Sequence, residues 1–176
     1  MGFYYPGKDV RMKAGSLGVD KELRLRFCIG SQYMDRRTLL RKLDEIDFFK
    51  DFSSEERAWF CDHKVFRSYE DGKKIIVEGA QDRTFYVLID GVVVVTKNAN
   101  PDEVLAKLEV GAVFGEIAHF ARQQRATNVL AQGKILVFRL EHEFFKQLPP
   151  DVKLKINHQA MAILMHRLES KKNNQR

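Results

Sequence analysis

The sequence has only two cysteines, Cys28 and Cys61, which lie far apart and in no spacing typical of a metal site. An iron–sulfur centre is excluded because it needs about four cysteine ligands, and reduced thiols are the simplest expectation. No apolar run approaches the roughly 20 residues of a transmembrane helix. Residues 1–20 also lack an apolar block long enough for a secretory signal. We therefore expect a cytoplasmic protein.

Motifs that would indicate catalysis are also missing from the sequence. No nucleophile–base motif surrounds a serine or cysteine, and the histidines form no close metal-ligand pattern: His63, His119, His142, His158 and His166. We predict a protein that is not an enzyme and that holds no metal or cofactor.

The chain length of 176 residues suits one domain with extensions. The net charge of +6 is uneven, because the positive excess lies in residues 1–45 and 151–176 and the central part is slightly acidic. The simplest explanation is that the basic termini are exposed to solvent. The alternative is that they contact a nucleic acid, an acidic partner or a membrane surface.

Periodicity divides the chain into four parts. Residues 1–34 show little periodicity, and we expect an extended or loosely docked arm. Residues 35–62 have helical spacing, and Ser53 with Glu56 forms a predicted capping box. Residues 63–140 change to a period of two, and residues 141–176 are helical again.

The part with a period of two predicts a mainly β fold. Turn residues separate seven candidate strands, and short strands at roughly ten-residue spacing are typical of a sandwich or jelly roll. The predicted strands are 64–68, 74–78, 84–90, 92–97, 104–109, 128–131 and 135–140.

Two helices are predicted at the end of the chain, over 141–148 and about 151–171, with Pro150 suited to the first turn of the second. One stripe of the second helix is apolar: Val152, Ile156, Ala160, Ile163, Leu164 and Leu168. This stripe must bury against the barrel, a ligand or a second copy of the chain. A homodimer through this helix is therefore one hypothesis.

The segment 114–127 has the composition of a small anion site. Gly115 allows close approach of the backbone to a ligand, and a short helix over 116–121 would direct unpaired amides and its positive dipole end at a phosphate. Glu116 can accept hydrogen bonds from sugar hydroxyls. Arg125 can return across the cavity and bind phosphate oxygens with its fork of donors.

This segment resembles the phosphate-binding cassette of the cyclic-nucleotide-binding domain family, which includes catabolite activator protein, protein kinase A regulatory subunits and cyclic-nucleotide-gated channels. The resemblance extends over roughly residues 36–170, through the patches 77–80, 85–91 and 92–95. It implies a jelly roll flanked by helices, with 141–176 as a lid that moves on binding. We expect no helix-turn-helix output domain after Arg176, no DNA binding, and an unidentified effector protein as partner.

The resemblance also assigns ligand-binding roles. It implies that Glu116 binds the ribose and that Arg125 neutralises the cyclic phosphate. Ala126 in place of threonine favours cAMP, with cGMP as the alternative because Thr127 follows. Arg167 lies about where channel relatives place a base-contacting arginine, and a solvent-facing arginine is the alternative. The implied ligand-binding set is Phe114, Gly115, Glu116, Ile117, Ala118, Arg125, Ala126, Thr127 and Arg167.

Three residues depart from the family's pattern. His119 and Phe120 replace an aliphatic pair, and Gln124 replaces a proline. A packed or hydrogen-bonded His119 is expected rather than a switch. Two alternatives stay open: Glu116 and Arg125 could pair with each other without a ligand, and the chain could be an interaction module that keeps the fold but has lost ligand binding.

Overall fold

The computed structural model describes residues 27–29, 32–63 and 65–173. The strands are β1 Phe27–Ile29, β2 Gln32–Met34, β3 Phe66–Tyr69, β4 Lys74–Ile76, β5 Phe85–Thr96, β6 Ala106–Leu108, β7 Val113–Phe114 and β8 Asn128–Leu140. The helices are α1 Arg36–Glu45, α2 Ser54–Asp62, α3 Glu116–Ala121, α4 His142–Gln147 and α5 Pro150–Asn173, with a 3₁₀ turn at Asp47–Phe49.

An antiparallel sheet of six strands forms the centre of the fold. Its main order is β3-β8-β5-β6, and β4 also pairs with β8 and β7 with β5. The strands β1 and β2 form a separate antiparallel pair. Helices flank the sheet on the N-terminal and C-terminal sides, so the predicted mainly β jelly roll with flanking helices is confirmed.

The two long strands, β5 and β8, are buried on both faces. Along β5, Phe85, Val87 and Ile89 enter the core shared with the helices, and the intervening Tyr86 and Leu88 enter the interior of the barrel. This alternation follows from the period of two in a strand. Since both faces are covered, both sets of positions are apolar, which explains the continuous hydrophobic runs of the sequence.

Each long strand was predicted as two shorter strands, and that prediction is wrong. The segments 84–90 and 92–97 form one strand, and the segments 128–131 and 135–140 form another. The register between the two strands shifts between Leu88 and Asp90 and again between Asp90 and Val92. Gly91 has a φ of 88°, and an added Cβ would lie 2.8 Å from the Lys134 carbonyl oxygen. The sheet therefore bends at Gly91 without ending.

Smaller differences concern the other strands. The predicted strands 64–68, 74–78 and 104–109 are shorter or shifted, as Phe66–Tyr69, Lys74–Ile76 and Ala106–Leu108, and Lys64 lies outside the described residues. The short strand β7 was not predicted. Within the predicted arm 1–34, residues 27–29 and 32–34 form the β1–β2 pair, and the rest of that arm lies outside the described residues.

The helices before the barrel begin where the sequence predicts. Asp35 caps α1 by accepting a hydrogen bond from the Thr38 amide at 2.8 Å. The capping box of α2 is confirmed, because Ser53 and Glu56 exchange both expected hydrogen bonds. Glu56 also pairs with Lys155 of α5 at 2.7 Å, which ties the first helices to the last one.

The apolar stripe of α5 packs within the same chain. Val152, Ile156 and Ala160 are buried in the core shared with the N-terminal helices, and Ile163 packs against it. The three buried positions are therefore unavailable to a second copy of the chain, and a homodimer through this helix stays a hypothesis. No helix in the described ranges combines the length and apolar character needed to cross a membrane.

An aromatic stack joins α2 to α4. Trp59 and His63 are stacked with ring centroids 3.5 Å apart, and Trp59 is also stacked with Phe144 at 5.9 Å. The short helix α4 therefore contacts the N-terminal helices directly.

We expect Gly91→Ala to lower the free energy of unfolding more than Gly133→Ala does. Both glycines have positive φ, but an added Cβ meets close neighbours only at Gly91. The left-handed conformation costs about 1–2 kcal/mol in either variant, and the clash adds to this cost at Gly91 alone. Urea unfolding of both variants measures the difference, and equal losses would contradict the assigned role of Gly91.

Candidate functional site

The predicted cassette lies at the edge of the barrel interior. It runs from β7 through Gly115 into α3 and returns along 122–127 to β8. Phe114 anchors its start, because the Phe114 ring is buried and stacks on Tyr86 with centroids 5.1 Å apart. The start of the cassette is therefore fixed to β5.

Gly115 occupies a position that only glycine fits. Its φ is 78°, and an added Cβ would lie 2.7 Å from Nη1 of Arg125 and 2.9 Å from the carbonyl oxygen of Thr84. A side chain at this position would be strained by the backbone conformation and would also displace Arg125. The close approach predicted at Gly115 is made here to a side chain of the cassette itself.

Arg125 is 4% exposed and has several internal acceptors. Its Nε donates to Oδ2 of Asp82 at 3.1 Å, and its Nη2 donates to Oδ1 of Asp82 at 2.5 Å. Its Nη1 donates to the Gly115 carbonyl at 2.9 Å and its Nη2 to the Thr84 carbonyl at 2.6 Å. The backbone of Arg125 is also held, by hydrogen bonds with Gly79 and Ala80 at 2.8 Å each.

Asp82 is the counter-ion of this buried cation. Burial alone would raise the pKa of Asp82, but the hydrogen bonds and charge of Arg125, with a hydrogen bond from Thr84, hold that pKa below its ordinary value. A buried guanidinium without such a partner would be costly. The Asp82 side chain is still 47% exposed, so the pair lies at the mouth of the site.

Glu116 has a different partner, Arg167 of α5. The Glu116 side chain is buried, and Nη1 of Arg167 donates to its Oε1 at 2.9 Å. Nη2 of Arg167 also donates to the carbonyl of Val113. Arg167 is therefore held against the cassette and is not simply solvent-facing. The direct pair of Glu116 and Arg125 that was considered from the sequence does not form.

The other predicted site residues surround these two pairs. Ala118 is buried and Ile117 is 52% exposed. Ala126 is exposed, Thr127 is half-buried, and both lie where the chain returns to β8. The first amides of a helix have no acceptor within the helix, and in α3 they include those of Ile117 and Ala118. The structure thus brings the whole predicted set to one edge of the barrel and to the facing side of α5.

His119 is packed and hydrogen-bonded, as expected. It is 2% exposed, and its Nδ1 lies 2.8 Å from the carbonyl oxygen of Arg83. Burial lowers the pKa of His119, although the hydrogen bond to Arg83 opposes this shift. Phe120 is partly buried against the core beside the helices, and Gln124 is exposed.

A cavity of about 640 Å³ lies beside Arg167, between the 3₁₀ turn, β6 and the second half of α5. Leu108, Ala112 and Ile163 supply apolar walls, and Lys50, Lys107 and His166 supply polar ones. The second half of α5 therefore forms one wall of this cavity and is attached to the cassette through Arg167. Among the described residues, no group of three or more histidine, cysteine, aspartate or glutamate side chains could hold a metal ion.

Sequence reasoning missed the loop that supports Arg125. Asp82, Arg83 and Thr84 were not singled out, although the loop between β4 and β5 supplies a carboxylate and a carbonyl to the guanidinium. The sequence shows only that Asp82 lies shortly before a buried strand. Nothing in the local pattern linked it to an arginine 43 positions later.

Comparison with known proteins identifies the family of this chain. The model of the cyclic nucleotide-binding domain matches residues 66–149. In solved structures, the chain is similar to a domain described as "Sp-2Cl-cAMPS bound to PKAR CBD2", with 30% identity, a TM-score of 0.57, and coverage of 78% of this chain and 87% of that one. The chain belongs to the cyclic nucleotide-binding domain family.

Two further relatives of this chain are regulatory proteins. A cAMP-dependent protein kinase regulatory subunit from Mycosarcoma maydis is 34% identical over 100 residues, which is 56% of this chain and 19% of that protein. The regulatory domain of Toxoplasma gondii PKA, solved with cAMP, is 28% identical with a TM-score of 0.55, over 72% of this chain and 50% of that one. The chain thus spans about a fifth of the curated relative.

When the pH falls below about 4, we expect the Asp82→Asn variant to lose less free energy of unfolding than the unaltered chain loses. The pKa of Asp82 is lowered in the folded state, so its contribution is present above the unfolded pKa of about 3.9 and is lost as the pH falls below it. The half-exposed pair contributes about 1 kcal/mol or less. Urea unfolding from pH 6 to pH 3 measures this, with Asp102→Asn, an exposed loop change, as control. Identical pH profiles for the two variants would contradict the role of Asp82.

Proposed function

We propose that this domain is a non-enzymatic cyclic nucleotide sensor that binds cAMP in preference to cGMP and couples binding to movement of α4 and α5. The observation that carries the proposal is the contact of Arg167 with Glu116. It connects the lid helix to the carboxylate that the family resemblance assigns to the ribose. The free, buried thiol of Cys61 fits the expected cytoplasmic location.

The phosphate end of the site supports binding of an anion. Arg125 is buried and positioned by its hydrogen bonds before any ligand arrives, so little side-chain entropy remains to be lost on binding. Four of the five N–H donors of a guanidinium are engaged, and the charge of Arg125 is shared with a half-exposed carboxylate. The cyclic phosphate would add to this arrangement through the first amides of α3.

The ribose end of the site supports coupling to the lid. A ribose hydroxyl that donates to Glu116 would compete with Nη1 of Arg167 for the same carboxylate. Because a ligand shifts an equilibrium only through its differential affinity for two states, this competition supplies the required difference. Loss of the Arg167 contact would release the half of α5 that borders the cavity.

The preference for cAMP rests on the residues after Arg125. Ala126 has no hydroxyl for the exocyclic amine of guanine, and the hydroxyl of Thr127 is half-buried beside β8. The relatives named after cAMP support the same preference. The output would be an effector protein that recognises the moved helices.

A second candidate function is an interaction module without a ligand. One observation favours it: both charged residues of the cassette already have partners, Arg125 with Asp82 and Glu116 with Arg167. The site is therefore electrostatically complete as it stands. Binding measurements separate the two candidates.

Saturating cAMP should raise the melting temperature of ligand-stripped protein by roughly 5–10 °C, because binding at one hundred times the dissociation constant adds about 2.7 kcal/mol. At equal concentration cGMP should give a smaller shift. No shift with either nucleotide would favour the interaction module.

Arg125→Lys, which keeps the charge but loses the fork of donors, should weaken cAMP binding at least about tenfold.

Arg167→Gln should increase cAMP affinity about threefold to tenfold, because the variant removes the group that competes for Glu116. A base-contacting arginine would instead give weaker binding on substitution. Isothermal titration calorimetry distinguishes the two outcomes, with Glu169→Gln, an exposed change on the same helix, as control. Reduced affinity in Arg167→Gln would overturn the competitive role and return Arg167 to the base-contacting one.

A further inference from the structure

Three residues from three separate elements meet behind the cassette, and we call them the Arg83–His119–His142 cluster. Nη1 of Arg83 lies 2.8 Å from Nε2 of His142 on α4. Nη2 of Arg83 donates to the carbonyl of His119 on α3 at 2.8 Å. The rings of His119 and His142 are 5.5 Å apart. Arg83 thereby links the cassette helix to the first helix of the lid.

The hydrogen-bond partners require a neutral His142 and place a proton on Nδ1 of His119. A guanidinium can only donate, so Nε2 of His142 must accept from Arg83 and the proton of this imidazole must be on Nδ1. A carbonyl can only accept, so Nδ1 of His119 must donate to the Arg83 carbonyl. Nδ1 of His142 is buried without a hydrogen-bond partner. The contact between Arg83 and His142 therefore exists only while His142 is neutral.

The charges around the cluster oppose protonation. From the barrel side Arg83 faces both rings, and the cassette supplies Arg125 near His119 and Arg122 near His142. From α4 itself, Lys146 adds a cation near His142 and Glu143 adds a carboxylate that opposes these positive charges. Burial first, and then these cations, lower the pKa of both histidines below the ordinary value.

We propose that the Arg83–His119–His142 cluster is a proton-sensitive latch that holds α4 against the cassette helix and opens on acidification. A proton on Nε2 of His142 converts the acceptor into a donor and places two cations 2.8 Å apart. Protonation of His119 adds a second buried charge beside the same guanidinium. The contact that joins α3, the loop between β4 and β5, and α4 is then repulsive.

The direction of the pH effect follows from the lowered pKa values. A histidine whose pKa is lower in the latched state than in the open state stabilises the latched state fully above about pH 6.5, the ordinary value. This contribution is lost as the pH falls below that value. Acidification within the physiological range of histidine titration therefore favours the open lid.

The latch acts on both ends of the candidate site. Arg83 lies between Asp82 and Thr84, which hold Arg125, and α4 continues through Leu148 and Pro149 into α5, which carries Arg167. A change at His142 can therefore reach the phosphate arginine and the lid arginine. The proposal does not depend on ligand binding, since the latch contacts are made within the chain.

Two substitutions remove the titration but keep the hydrogen bonds. His142→Gln retains an acceptor for Arg83, and His119→Asn retains a donor for the Arg83 carbonyl. His158→Gln is the matched control, because His158 lies on α5 with its side chain 71% exposed and outside the cluster. These variants are compared with the unaltered chain in the absence of nucleotide.

Hydrogen exchange of the α4 amides from pH 7.5 to 5.5, corrected for intrinsic rates, measures the opening. We expect protection to fall severalfold in the unaltered chain and in His158→Gln, and to change little in the double variant His119→Asn/His142→Gln. In NMR titrations, both cluster histidines should have pKa values below 6.5. An equal fall of protection in the double variant, or histidine pKa values at or above 6.5, would overturn the latch.

Discussion

The buried guanidinium of Arg125 is the interaction on which the arrangement of the site depends. It is held by a carboxylate and two carbonyls from the loop between β4 and β5 and from Gly115. These partners fix the distance between the cassette and the barrel before any ligand is present. Gly115 is required by the same interaction, because a side chain there would occupy the space of the guanidinium.

The loop residues 82–84 connect elements that are distant in sequence. Asp82 and Thr84 contact Arg125, whereas Arg83 between them contacts α3 and α4. Arg125 is bound by the Asp82 side chain and the Thr84 carbonyl, which leaves the Arg83 side chain between them free to reach α3 and α4. The charged groups of the site and the attachment of α4 thus share one short segment.

The sequence predicted the parts of the structure that depend on local spacing. The capping box of Ser53 and Glu56 and the cassette from Gly115 to Arg125 span few residues, and their residue types determine their geometry. The partners Asp82 and Arg167 lie 43 and 51 positions from the residues they bind, so only the folded chain brings them together.

The strand boundaries show a second reason for error. Gly91 and Gly133 are typical turn residues and divided β5 and β8 in the prediction. In the structure both strands continue past these glycines with positive φ. The two strands pair with each other on both sides of these glycines, and this tertiary effect outweighs the local preference of glycine.

The position of Trp59 gives the domain an optical reporter of its own. Trp59 is the single tryptophan of the chain, and its indole stacks with His63 and with Phe144 of α4. Trp59 is half-buried, and displacement of α4 would separate the indole from Phe144 and expose more of it to water. Its emission therefore reports the position of α4 without an attached dye, and the wavelength of that emission can be followed in real time in the unaltered protein.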